Sequence, residues 1–438
     1  MRFAFVRAAP GRRPLSAMLT AVSGKSGGVL WVWLLGFAAA GLLFALESYL
    51  SEPRAPYSPA FADFRNAYYP AGNAVRHGES LSSLIASGVM GFVNLPIVAY
   101  LFVPLTVLPW RVAALGPFLF AGLAATVSAY IVLTRLAGLS QCGRLWLALL
   151  FLFNGPLIYS LKEGNTSQFV LLAFAGALYL LRSGRSAWAG FVLAAAALLK
   201  LPLLLFGGFF VLRRDWAGTA AFSGTLGAAA VLSVVVFGPT IHAEWLDTAI
   251  LQLQHSGLAS FNAQSISAWL LRLRHPAPPL FDWTLLPLTP AEEIEAKAAQ
   301  FALLALAGFG LWRSARVARD NSGHLAVEML DLQFLLVLVV ALVVTPLAWS
   351  HYFCWTLIPA AFLLGGRIRP ASAACLGWVA VALTTPLVIC PGPETLAPMP
   401  GIYTKLAASN YFLGGVAWLV SLIMAAHAPS RASSPANR

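Results

Sequence analysis

An all-α polytopic membrane bundle of about 12 transmembrane helices with extracytoplasmic loops is the fold this sequence predicts, and three observations predict it. The chain is 59% hydrophobic and only 10% charged, with a mean hydropathy of +0.77. Apolar runs of about 13 to 24 residues recur between short basic punctuation marks. Those runs are continuous rather than alternating, which excludes a membrane β-barrel. A charged side chain at a helix centre costs about 2.5–3.5 kcal/mol on insertion scales, so spans must be nearly free of them.

Taken in order, residues 1–28 form a basic segment with Arg2, Arg7, Arg12, Arg13 and Lys25, followed by an apolar run at 29–46. The basic region is long and no small-residue cleavage site precedes Glu47, so the segment reads as a retained first helix with a cytoplasmic start. Residues 47–111 form an outer loop. Spans at 112–134, 145–161 and 169–181 follow, joined by a basic turn with Arg135 and Arg144 and by the polar turn 162–168. Residues 188–212 are interrupted by Lys200-Leu201-Pro202. Two short helices meeting there put Arg182/Arg185 and Arg213/Arg214 on one side, whereas one long span separates them, and the hairpin is preferred. A span at 217–239 leads to a second outer loop, 240–298. Spans at 299–312, 329–347, 353–366, 371–390 and 409–426 complete a transmembrane domain at 29–426, and 427–438 reads as a disordered cytoplasmic tail.

Along this path 18 of the 28 Lys and Arg fall on the cytoplasmic side, although the outer segments are longer, so both termini are cytoplasmic. The path requires 95–110, with three prolines, to be interfacial or re-entrant rather than a crossing. The net charge of +12 is a topology signal at span ends rather than a binding stripe, so no nucleic acid is expected. Cys142, Cys354, Cys375 and Cys390 read as buried inert thiols, and neither they nor His77, His242 and His255 have metal-ligand spacing, so no metal is expected.

The chemistry collects on the outer side. Only 16 Asp and Glu occur in the chain, and Asp63 stands in DFRNAYYPAGNAVRHG just after the first span, with Arg65, Asn66, Tyr68 and Tyr69. The turn at 162–168 adds Lys162, Glu163, Asn165 and Gln168, and the hairpin tip adds Lys200. The second loop adds Asn262, Gln264, Arg272 and Arg274, and a later turn Trp349, His351 and Tyr352. A lone base with cations and aromatics on one face suits glycosyl transfer from a lipid phosphate. The phosphate ester at an anomeric carbon needs charge neutralisation as it leaves, which Lys, Arg and His supply. The incoming hydroxyl needs one general base, worth about 10²–10⁴-fold. One carboxylate suffices for an inverting single displacement, where hydrolases usually use a pair. Plainer roles exist for each residue: Asp63 as a cap near Phe64, Lys200 snorkelling from a helix end, His351 bonded to a turn carbonyl, Arg272 and Arg274 against lipid headgroups, and Glu163 paired with Lys162. Trp and Tyr at span ends are interfacial anchors by default.

The segments DFRNAYYPAGNAVRHG, PIVAYLFVPLTVLP, EGNTSQFVLLAF, FNAQSISAWLLRL and WSHYFCW stand in the order seen in glycosyltransferase family 87, which the chain resembles over residues 30–425. The resemblance implies a GT-C-type bundle. It also implies a polyprenyl-phosphate-mannose-dependent mannosyltransferase serving a glycan or glycolipid acceptor at the outer face of a bacterial plasma membrane. No cofactor is implied beyond the lipid-linked sugar donor. Asp63 is then the general base, Lys200 and His351 match positions near the donor phosphate and sugar, and Gln168 matches the polar end of the turn. Beside them, Arg65, Tyr69, Asn165 and Trp349 are read from their place on the outer face as substrate- or donor-binding. The turn here reads Gly164-Asn165-Thr166-Ser167-Gln168 where family members often have Gln directly after Gly, so either Asn165 or Gln168 fills that role. A second acid is open between Glu163 and Glu244. Two other classes stand beside this one. A transporter or lipid flippase pairs broken helices in two halves, and no second copy of the Lys200 hairpin is evident. A polysaccharide polymerase or ligase using a polyprenyl-diphosphate donor would lean on an Arg-rich outer loop, where only Arg272 and Arg274 fit.

Overall fold

The computed structural model describes residues 60–275, 278–319, 324–386 and 401–427. The basic amino-terminal segment, the expected first span, Cys390 and the carboxy-terminal tail lie outside these residues.

The described chain opens at the end of the bundle that carries the site. Phe61 takes a left-handed φ of 60°, and its N–H donates to Lys162 O at 2.7 Å. A π-helical turn, Phe64–Tyr68, runs into α1 (Tyr69–His77), with Pro70 in the first turn where its missing N–H is least needed. Prolines at 96, 104 and 109 interrupt any α-helical ladder in the next segment. It forms instead a 3₁₀ helix, Pro96–Val107, packed along α1. A Cβ on Gly72 would come within 2.8 Å of the Phe102 carbonyl carbon, so glycine permits this approach.

Helices α2 (Trp110–Leu136), α3 (Gln141–Phe153), α4 (Gly155–Glu163) and α5 (Ser167–Arg182) follow. The single span expected at 145–161 is instead α3 and α4, bent by 46°. Asn154 Oδ1 caps α4 by accepting from the Leu157 N–H at 2.9 Å, and Pro156 cannot continue the ladder of α3. Next, α6 (Ser186–Leu199), a 3₁₀ turn at Leu201–Leu204 and α7 (Leu205–Arg213) enclose Lys200 in an extended conformation. Arg182 pairs with Asp331, while Arg213 donates to Gln333 two residues further along the same later helix. Both open ends of the hairpin therefore meet one turn of that helix, and the chain reverses at Lys200.

Beyond α8 (Trp216–Phe237) and α9 (Pro239–Leu246), the second loop holds α10 (Ile266–Arg274) and two-residue antiparallel strands β1 (Ser256–Gly257) and β2 (Leu286–Pro287), with Gly257 opposite Leu286. Helix α11 (Pro290–Arg319) begins well before the expected 299. Its start is a capping box: Glu292 Oε2 accepts from the Thr289 N–H at 2.8 Å, and Thr289 Oγ1 accepts from the Glu292 N–H at 3.3 Å. The remaining elements are α12 (His324–Val344), a 3₁₀ helix Ser350–Thr356 leading into α13 (Leu357–Leu364), α14 (Ala371–Thr384), α15 (Gly401–Ala407) and α16 (Asn410–His427).

Among the described residues, five helices are long and apolar enough to cross a membrane, or six if the bent pair is one span. The protein is thus an all-α, multi-pass membrane protein. The expected count of about 12 exceeds this because six apolar helices, including α5, α6 and α14, are shorter, and because 29–46 is not described. In α12 the most apolar window is 83% buried against 11% in α8, so α12 is the central post and α8 faces outward. The core against α12 is aromatic, with Phe334 packed on Phe174, Phe206 and Phe209. Cys354 is buried there, but Cys142 and Cys375 are exposed, contrary to expectation, because each sits on an outward helix face.

Candidate active site

The site is built where two turns are pressed together. Gly164 ends α4 with φ of 62°, and a Cβ there would lie 2.7 Å from Phe64 Cβ. Only glycine lets the turn 162–168 close against the segment that carries Asp63. Asn165 is then pinned through its amide oxygen, which accepts from the Thr166 N–H at 2.7 Å, the Ser167 N–H at 3.1 Å and Ser167 Oγ at 2.9 Å. Its Nδ2 faces the other way and donates to Asp63 Oδ2 at 2.5 Å, with Tyr68 OH 3.4 Å away. Gln168 has a different task. Its Nε2 donates to Asn165 O at 2.7 Å and its Oε1 accepts from Ser160 Oγ at 2.5 Å. Asn165, not Gln168, meets the acid.

Asp63 keeps some exposed surface although protein packs densely around it. Burial raises its carboxyl above the ordinary range, while the Asn165 hydrogen bond and the charges of Lys200 and Lys162 pull the other way, and burial wins. The Tyr68 ring stacks on Phe102 at 4.7 Å, and burial together with the Asp63 charge pushes its phenol up. Tyr68 therefore stays protonated.

Lys200 is positioned by a residue that no motif flagged. Asn94 Nδ2 donates to Leu198 O at 3.1 Å and Leu199 O at 2.8 Å, satisfying the last carbonyls of α6 as the chain breaks out to Lys200. The Lys200 ammonium lies 4.6 Å from the Tyr352 ring centroid and forms no hydrogen bond among the described residues. A cation–π contact contributes about 0.5–2 kcal/mol, less than the several kcal/mol lost by desolvating an ammonium. The site is thus electrically suited to an added anion.

His351 is buried, and among the described residues neither ring nitrogen has a partner. The expected plain role, a bond to a turn carbonyl, is therefore not what the structure contains. Leaving such groups unpaired costs about 1–3 kcal/mol each. The ring lies among Tyr159, Trp349 and Tyr352 at centroid distances of 6.2, 6.4 and 5.0 Å. Trp349 is half-buried, nearly parallel to His351, and bridged through its backbone to Ala263 of the second loop. That loop is tied in further by Asn262, which donates to Tyr159 OH at 3.2 Å and accepts from Trp283 Nε1 at 3.0 Å.

Asp63, Asn165, Lys200, His351 and Trp349 are thus drawn into one contiguous cluster. Of the three other expected members, Gln168 braces the turn behind Asn165, and two stand apart. Arg65 lies over the Trp110 ring at 5.0 Å, and the Tyr69 hydroxyl donates to Leu108 O at 2.9 Å, leaving Tyr68 to face Asn165. Glu163 pairs with Lys162 at 2.7 Å, while Glu244 is exposed on α9. Arg272 does not have the lipid-headgroup role expected of it. Arg272 is fully buried and donates to Ser260 O, Ala263 O and Ser409 Oγ, and Arg274 pairs with Glu292 and Glu295. Asn94, Tyr159 and Trp283 were not singled out by the sequence. Asn94 had a signal, a lone amide in an apolar run before Leu95-Pro96, whereas Tyr159 and Trp283 looked like ordinary interfacial aromatics.

A family model described as glycosyltransferase family 87 matches residues 92–346. The chain belongs to glycosyltransferase family 87. The matched stretch contains Asn94, Asn165 and Lys200, with Asp63 before it and His351 just after. Among relatives, the chain is 28% identical over 247 residues to a polyprenol-phosphate-mannose-dependent alpha-(1-2)-phosphatidylinositol mannoside mannosyltransferase of Mycolicibacterium smegmatis, covering 55% of this chain. That alignment spans about half the length of the relative, 51%. A protein of the same description from Mycobacterium tuberculosis is 27% identical over 353 residues, covering 76% of this chain and 75% of its own.

Proposed function

We propose that this protein is an inverting mannosyltransferase moving the sugar of a polyprenyl-phosphate donor to a hydroxyl of a glycan or glycolipid acceptor. The observation that carries this reading is one carboxylate, Asp63, held by Asn165 within the field of Lys200 and Lys162. Asp63 takes the acceptor proton as the hydroxyl oxygen attacks the anomeric carbon. The new carbon–oxygen bond forms as the bond from that carbon to the phosphate oxygen breaks, and polyprenyl phosphate departs with the electron pair. Lys200 neutralises the leaving phosphate. His351 offers hydrogen bonds to sugar hydroxyls, and Trp349 packs against the sugar face. Gln168 supports the turn rather than the donor, and no resident cofactor enters these steps.

In this reading residues 29–426 form a GT-C-type transferase domain whose short helices cross in pairs. The site then opens at the extracytoplasmic face of the bacterial plasma membrane, with both termini cytoplasmic. Membrane lipids and the two substrates are the partners, and nucleic acid is not. The names of the mycobacterial relatives support a lipid-linked mannose donor and a glycolipid acceptor. The burial of Arg272 and the pairing of Arg274 with Glu292 and Glu295 disfavour the polymerase or ligase alternative, since the protein itself engages both arginines that alternative leaned on. The test uses membranes containing the protein, supplied with radiolabelled polyprenyl-phosphate mannose or with GDP-mannose where no polyprenyl-phosphate mannose can form. Label is expected to enter glycolipid only from the lipid donor, and transfer from the nucleotide sugar would overturn the donor assignment.

A further inference from the structure

We propose that Asn165 is a positioning residue that aims the Asp63 carboxylate for proton uptake from an amide whose orientation the surrounding turn dictates. This rests on the reading of Asp63 as general base. The Asn165 amide has no freedom to reverse. Its oxygen meets three donors, two backbone N–H groups and the Ser167 hydroxyl, at 2.7–3.1 Å. A flip would set the NH₂ against those donors and leave two oxygens facing each other at Asp63. The backbone is fixed as well, since the Asn165 N–H donates to Ser160 O at 2.9 Å and Gln168 Nε2 donates to Asn165 O at 2.7 Å. The turn thus converts three local hydrogen bonds into a directed donor 2.5 Å from Asp63 Oδ2.

A donor aimed at a carboxylate favours its charged form. The other groups facing Asp63 are Lys162 and Tyr159 from α4, Lys200 from the hairpin break, Tyr68 from its own turn, and Tyr352 from the 3₁₀ helix Ser350–Thr356. Lys162 and Lys200 act through their fields, and the buried tyrosines add no charge. Among the described residues Asn165 alone supplies direction, through its side-chain hydrogen bond to Asp63.

Asn165→Asp separates this role from a structural one. The new carboxylate still accepts from Thr166 and Ser167, so the turn keeps its caps, but an oxygen replaces the donor toward Asp63. Two adjacent carboxylates then share a proton. The acid limb of the kcat–pH profile is expected to move up by about one pH unit or more, with activity recovering at alkaline pH. An unmoved limb overturns the proposal. If Asn165→Asp does not accumulate in the membrane, Asn165→Ala in the same profile decides: an upward limb shift supports the proposal and a pH-independent loss overturns it. Asp63→Asn is run in parallel. If it transfers normally, the base reading fails and this inference with it. If it is inactive while Asn165→Asp keeps the wild-type limb, only the inference fails.

Discussion

At Asp63, burial outweighs the hydrogen bond and the two lysines, so the carboxyl titrates above the ordinary value for aspartate. A general base works ionised. As pH falls through the raised value Asp63 takes a proton and turnover is lost, whereas at higher pH it stays competent. The acid limb of kcat/KM is therefore expected above about pH 4, the ordinary Asp value, and a limb at or below that value contradicts the environment described. His351 permits a second separation of function from stability. His351→Phe keeps a ring among Tyr159, Trp349 and Tyr352 but removes two unpaired buried nitrogens, which cost about 1–3 kcal/mol each. Transfer is expected to fall about 10²-fold or more while the melting temperature holds or rises. A lower melting temperature with unchanged transfer would make His351 structural.

Among the elements, the hairpin depends on one amide from outside it. Asn94→Leu leaves the Leu198 and Leu199 carbonyls without their donor, a loss of about 1–3 kcal/mol, and lets Lys200 move. The expected signature is a raised KM for the lipid donor with a smaller change in kcat, and an unchanged KM would detach Lys200 from donor binding. Element existence was readable because apolar runs and basic marks alternate along the whole chain. Boundaries were less so. Asn154-Gly155-Pro156 is a cap and a breaker hidden inside an apolar run, and Thr289-Pro290-Ala291-Glu292 is a capping box that extends α11 back into the presumed loop. The site shows the same division. Asp63, Asn165 and Lys200 stood out as polar groups in apolar surroundings. Choosing Tyr68 over Tyr69 depends on helix phase, and the π-helical turn at Phe64–Tyr68 sets that phase through packing distant in sequence. Arg272 was misread for a related reason: its partners Ser260 and Ser409 approach only when α10 folds under α15 and α16.

Across the whole molecule, charge is sorted to two ends. Arg182 and Arg367 donate to the last carbonyls of the α2 end, at Leu136 and Ala137, and Asp331 and Gln333 gather Arg182 and Arg213 there. Asp63, Asn165, Lys200 and His351 gather at the far ends of the same helices. With Cys142 and Cys375 replaced by serine, Glu79→Cys and Arg214→Cys are expected to react with an impermeant thiol reagent from opposite faces of the membrane. Labelling from one face would break the arrangement. The central claim, that a single acid serves a lipid-borne phosphosugar at one end of this bundle, is met most directly by one comparison. Wild-type protein and Asp63→Asn, reconstituted at equal abundance, are supplied with polyprenyl-phosphate mannose and glycolipid acceptor. The account predicts at least about a 10²-fold loss of transfer with donor binding retained, and wild-type turnover in the variant would contradict it.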